Sequence, residues 1–170
     1  LLGIAFSRPF FADTPAATAE TGGRRNVVII LDNSYSMGYN DTFNRAKSEA
    51  RKIVDDLHQG DASALIFSSH RGQVVKSLDS EHERIRTALA SAKLTNYTTD
   101  YLDAIQSANE MLQQANIGPK QIYFIGDLQK IGWENFIETD KLEPGVQITF
   151  VDMSTKDSSN LAITGVSVPQ

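Results

Sequence analysis

The 170-residue chain is long enough for one domain with a substantial core. Its 41% hydrophobic and 22% charged residues are ordinary for a globular fold, and a net charge of −5 argues against a protein that tracks nucleic-acid phosphates. With no cysteine in the chain, thiol catalysis, disulfides and Cys-ligated zinc are excluded.

The chain opens at Leu1 with the apolar run LLGIAFSRPFF, which is too short to span a bilayer and has no basic leader region. It reads either as a short packed segment or as the end of a longer hydrophobic helix. The missing initial Met, and a Ser7-Arg8-Pro9 that suits a membrane exit, favour a membrane-proximal segment for residues 1–11. Residues 12–23 (ADTPAATAETGG) are small, polar and punctuated by Pro and Gly, as linkers are.

From Arg24 onward, strand-like and helix-like patterns alternate. Val27–Leu31 is a continuous apolar run of the kind buried on both faces of a sheet. Between Thr42 and Leu57, Phe43, Ala46, Ala50, Ile53, Val54 and Leu57 fall at helical spacing. Ala62–Phe67 reads as a second buried strand and the alternating Gln73–Leu78 as an edge strand. Ser80-Glu81-His82-Glu83 has the form of a capping box for a helix reaching about Ala92. After the polar loop 95–100, Leu102, Ile105, Ala108 and Leu112 predict a helix closed by Gly118-Pro119. Gln121–Gly126 is another buried strand, ending at Asp127; a short helix near Trp133–Ile137 and a strand Val146–Val151 complete the set. This alternation predicts an α/β, Rossmann-like fold: an open, mostly parallel sheet with one antiparallel edge strand and helices on both faces.

Three polar groups fall at strand ends or in the loops just beyond, where open α/β sheets build their sites. They are Asp32-x-Ser34-x-Ser36 after the first strand, Thr98-Thr99-Asp100 before a helix, and Asp127 after QIYFIG. In an extended segment Asp32, Ser34 and Ser36 would share one side, with Asn33 and Tyr35 on the other. Met37 would then turn back to the core, and Gly38 would permit the sharp turn into the next helix. Two carboxylates and up to three hydroxyls are hard oxygen ligands that suit Mg²⁺ or Mn²⁺. A charge of about −2 against the ion's +2 leaves it able to attract a further carboxylate, so binding a partner's Asp or Glu follows more naturally than activating water.

These residues resemble the metal-ion-dependent adhesion site of the von Willebrand factor type A (VWA) domain, with its Asp-x-Ser-x-Ser motif, threonine and aspartate. The first element matches at Asp32, Ser34 and Ser36. Aligning the family's Thr-x-Thr-Gly-x-Ala-Leu on Ala104-Ile105 puts the threonine at Thr99, with Thr98 the alternative. The aspartate matches Asp127, although Gly126-Asp127-Leu128 stands where the family has Thr-Asp-Gly. The resemblance covers about residues 24–153 and implies a non-enzymatic, metal-dependent protein-binding module.

The flanks are similar to bacterial membrane-anchored VWA proteins of the aerotolerance (BatA-like) type. That likeness implies anchoring through a segment upstream of Leu1, in the bacterial inner membrane, with the domain on the periplasmic side. Residues 154–170 read as an extension leading to a further domain or strand in place of the family's last helix.

Two other functions stand beside this one. A structural domain with an empty, vestigial site needs only that Asp32 caps the helix that follows, that Ser34 and Ser36 are turn residues, that Thr98, Thr99 and Asp100 form an N-terminal cap, and that Asp127 is a solvated loop carboxylate. A metal-dependent phosphohydrolase would want a second acid two residues after Asp32, where Ser34 stands, and no nucleotide or hydrolase motif is present. His58, His70 and His82 lack ligand spacing and read as surface residues, and Trp133 as packing.

Overall fold

The computed structural model describes residues 24–115, 118–129, 132 and 142–154, with residues 70 and 71 described in backbone only. The expected membrane-proximal segment, the linker, the helix near Trp133 and the extension beyond residue 154 lie outside the described residues.

Among the described residues five strands form one sheet: β1 (Asn26–Leu31), β2 (Ala62–Phe67), β3 (Gln73–Asp79), β4 (Lys120–Gly126) and β5 (Val146–Asp152). Their spatial order is β3-β2-β1-β4-β5. All neighbours run parallel except β3, which pairs antiparallel with β2 at the edge. The helices are α1 (Thr42–Asp55), the single turn α2 (Ser69–Gly72), α3 (His82–Ser91) and α4 (Tyr101–Gln113), with a 3₁₀ stretch at Tyr35–Asp41.

β1 is buried along its whole length because its side chains feed two cores. Val27, Ile29 and Leu31 pack with α1 and α3 through Phe43, Ala46, Ala50, Val54, Ile85 and Leu89. Val28 and Ile30 pack on the opposite face with Tyr101, Ala104, Ala108 and Leu112 of α4. Alternation along a strand thus distributes an unbroken apolar run to both layers, as expected for a central parallel strand.

The sheet is the one expected, and most strand bounds agree within a residue. Three local readings need correction. Helix α3 is not held by a capping box: no side chain caps its start, and the Asp79 carboxylate takes the Glu81 amide at 2.7 Å in a tight turn just before it. The buried stripe of α4 runs Tyr101, Ala104, Ala108, Leu112, while Leu102 and Ile105 are only half-buried, because Tyr101 points inward. The turn into α1 is made not by Gly38 but by Asn40 and Asp41, both left-handed with φ 47° and 59°. Asn and Asp tolerate that conformation better than other side chains.

Candidate metal centre

β1 has β2 on one side and β4 on the other, so successive connections leave it in opposite directions. The carboxyl ends of β1 and β4 therefore flank the point where an open α/β sheet forms a crevice. Asp32 follows β1 and Asp127 follows β4, which sets two acids side by side. The Asp32 amide extends the β1–β4 pairing by one step, donating to the Ile125 carbonyl at 2.8 Å. Gly126 makes the approach possible: a Cβ there would lie 2.8 Å from Asp32 Cβ.

Asp32 is fully buried and the Ser34 amide donates to its Oδ1 at 2.9 Å. The Ser34 and Ser36 hydroxyls lie 3.1 Å apart. This cluster differs from the expected extended segment. The 3₁₀ stretch begins at Tyr35, so Ser36 is brought round by a turn, not by strand alternation. Asn33 and Tyr35 do not share a common outward side either: Asn33 is buried, whereas Tyr35 is 77% exposed. Met37 does turn into the core.

The two acids are joined by Tyr101, the first residue of α4. The buried Tyr101 hydroxyl lies 3.2 Å from Asp32 Oδ2 and 3.3 Å from Asp127 Oδ1, and it accepts the Gln129 amide at 3.1 Å. Its ring meets Phe124 edge-on at 4.8 Å between centroids. Burial, then the Asp32 and Asp127 charges, push the phenol well above its ordinary pKa, so it stays protonated. Burial also raises the Asp32 carboxyl; bonds from Ser34 and Tyr101 oppose this, and the neighbouring Asp127 charge adds to it. None of the ion pairs among the described residues involves either acid.

Thr99 stands on the adjoining loop, half-buried, with its hydroxyl 3.0 Å from that of Ser68 at the end of β2. Thr98 is exposed. The loop is tied to the site through Asn33, whose side-chain oxygen takes the Ser69 hydroxyl at 2.6 Å and whose carbonyl takes the Thr95 amide at 2.9 Å. The Ser68 amide also donates to the Leu31 carbonyl at 3.2 Å. Asp100 caps α4, accepting the Asp103 amide at 3.4 Å. Asp32, Ser34, Ser36 and Asp127 thus form one hydrogen-bonded group through Tyr101, with Thr99 beside it on Ser68. Ser68, Asn33 and Tyr101 were not singled out from sequence; the one available signal was Tyr101 standing where the family motif has its second Thr.

The donor set fits a hard divalent ion. Two adjacent acids, one buried, have no ion-pair partner among the described residues; the Tyr101 hydroxyl lies against both and the Ser34 hydroxyl against Asp32. Among the described residues no three His, Cys, Asp or Glu side chains converge; the donors gathered here are two carboxylates and hydroxyls. Leu128, where the family has Gly, holds a left-handed φ of 50°, a strained choice for Leu of the kind found beside functional sites.

Comparison with curated proteins finds no significant match. Among solved structures, a three-domain fragment of the type V pili tip protein Mfa5 from Porphyromonas gingivalis superposes with a TM-score of 0.57 at 16% identity, over 62% of this chain and 20% of that one. An aerotolerance-related membrane protein from Bacteroides fragilis NCTC 9343 gives 0.59 at 20% identity, over 86% and 75%. Proximal thread matrix protein 1 from the mussel byssus, with a zinc-occupied MIDAS motif, gives 0.59 at 18%, over 75% and 35%. The chain thus spans one fifth of the first, three quarters of the second and about a third of the last. At these identities the likeness is one of fold. The profile of the von Willebrand factor type A domain matches residues 27–130, well over half of the sequence, and the chain belongs to that family.

Proposed function

We propose that this domain is a non-enzymatic, metal-dependent protein-binding module. Asp32, Ser34, Ser36, Thr99 and Asp127 would hold a Mg²⁺ or Mn²⁺ ion, which then receives an Asp or Glu carboxylate of a partner. The observation that carries this reading is the pair of adjacent acids, without an ion-pair partner among the described residues, at the switch point of the sheet. Choosing Thr99 over Thr98 rests on its half-buried place against Ser68. The ion would supply an electrophilic seat for the partner's carboxylate; the chain's own groups orient it and leave its charge about balanced.

The rim favours a protein partner. Tyr35, Tyr39, Leu94 and Tyr97 are 77%, 58%, 42% and 56% exposed and belong to the loops that bear the site. The Tyr35 amide and Tyr97 carbonyl are linked at 3.4 Å, so the two loops form one surface. Beside it lies a hollow of about 370 Å³ lined by Met37, Phe43, Lys47, Lys93 and Leu94. Aromatic side chains around a charged centre suit an acidic residue carried on a partially apolar segment.

Membrane attachment upstream of Leu1, with the domain periplasmic, is supported by the apolar start, the linker and the structural likeness to an aerotolerance-related membrane protein. No helix among the described residues is long and apolar enough to cross a membrane. The test is isothermal titration with Mn²⁺ and Mg²⁺. One site per chain that is lost in Asp32→Ala supports the reading; a silent wild type, as an empty vestigial site requires, ends it.

A further inference from the structure

The Tyr101 side chain is held at both its ring and its hydroxyl. Its ring lies edge-on to Phe124, and a Cβ on Gly132 would run into Tyr101 Cε2, so the ring leaves no room for a larger residue there. The Gln129 amide donates to the phenol oxygen at 3.1 Å and fills one of its acceptor positions. The single remaining proton faces two carboxylates, Asp32 Oδ2 at 3.2 Å and Asp127 Oδ1 at 3.3 Å. A hydroxyl has one hydrogen, so it satisfies one acid at a time. Both acids lack a cationic partner among the described residues.

From this geometry we infer that Tyr101 is the resident partner of the acid pair in the metal-free protein, holding Asp32 and Asp127 together at a cost in metal affinity. The inference rests on the proposed metal site and assigns Tyr101 a positioning role in it. Without an ion, the shared proton offsets the repulsion of two acids in a low-dielectric setting, where a bond to a charged group counts for more than a neutral one. An arriving cation competes for the same carboxylate oxygens and must outweigh that bond. Removing the hydroxyl therefore acts with opposite sign on the two states: the metal-free fold weakens, and the ion binds more tightly to less satisfied acids. A residue that merely supported the bound ion would shift affinity the other way.

The experiment is Tyr101→Phe, compared with wild type by thermal unfolding in EDTA and by Mn²⁺ titration. The expected result is a lower Tm in EDTA together with Mn²⁺ affinity raised about 10- to 150-fold, the loss of one charged hydrogen bond read through binding. An unchanged Tm in EDTA, or equal or weaker Mn²⁺ binding than wild type, would overturn the inference. If neither protein binds Mn²⁺, it is the metal-site reading that fails, and the displacement of Tyr101 with it.

Should Tyr101→Phe not fold, wild type carrying ¹³Cζ-tyrosine replaces it. The Tyr101 resonance moves on adding Mg²⁺ if the hydroxyl loses its bond to an acid. A resonance unmoved at saturating Mg²⁺ contradicts the proposal.

Discussion

Asp32 is a buried acid with a second acid, Asp127, beside it. Its carboxyl is pushed upward chiefly by burial, so keeping it ionised at neutral pH costs folding stability. The sign follows from the linkage: that cost is absent below the ordinary carboxylate value of 3.8 and grows as pH rises through the raised folded value. Asp32→Asn keeps an oxygen for the Ser34 amide and removes the charge. In EDTA at pH 7 its Tm is expected to lie a few degrees above wild type, the gain vanishing below about pH 3.8, as urea or thermal unfolding across pH would reveal.

Asp61 is the opposite case. Burial pushes it up, but the Arg25 and His58 amides and the Arg25 guanidinium, each at 2.9 Å, outweigh burial and lower it. Its stabilising effect is present above the ordinary value of 3.8 and is lost as pH falls through the lowered one. Asp61→Asn should cost about 1–3 kcal/mol at pH 7 and progressively less toward pH 3. A pH-independent cost in urea unfolding would contradict that account.

At the scale of elements, the loops around the site form a lattice centred on Asn33. Its buried side chain takes Ser69 and reaches the Lys93 carbonyl at 3.3 Å, while its own carbonyl holds Thr95. Asn33→Ala strands the Ser69 hydroxyl and the Lys93 carbonyl, leaves the main-chain bond to Thr95, and is expected to cost about 1–3 kcal/mol. It should also weaken Mn²⁺ binding, since Thr99 is carried on the same lattice. Unchanged affinity in titration would mean that Thr99 does not depend on Asn33.

Such a lattice explains which parts of the structure can be read from sequence. The strands are visible because apolar runs such as VVIIL and QIYFIG carry their burial in their composition. Helix α1 is visible because one stripe at helical spacing faces one core. Asp32, Ser34, Ser36 and Asp127 stand out by position, at strand ends. Tyr101 does not, because an aromatic at a helix start looks like packing; its hydroxyl gains a role only when β4 brings Asp127 beside Asp32. The bend at Asn40-Asp41 was missed for a similar reason, since Gly38 offers the more familiar turn residue while the chain uses its Asn and Asp.

Across the whole molecule, the architecture divides labour between the two sheet faces and one sheet end. Both faces are closed by helices, whereas the carboxyl end carries acids, hydroxyls and exposed tyrosines. The proposed partner binding would fall at that end. A partner captured on the immobilised domain in Mn²⁺ should be released by EDTA, and Tyr35→Ala with Tyr97→Ala should weaken capture without changing Mn²⁺ affinity. Capture that persists in EDTA would place the interface elsewhere.

The measurement closest to the central claim is thermal unfolding of wild type and Asp32→Asn, in EDTA and in Mn²⁺. A bound ion at a hundred times its dissociation constant stabilises the fold by about 2.7 kcal/mol. For a domain of this size that is a Tm increase of roughly 5–10 °C in wild type. That increase is expected in wild type and not in a folded Asp32→Asn; no increase in wild type, or an equal one in the variant, would rule out Asp32 as a ligand of the ion.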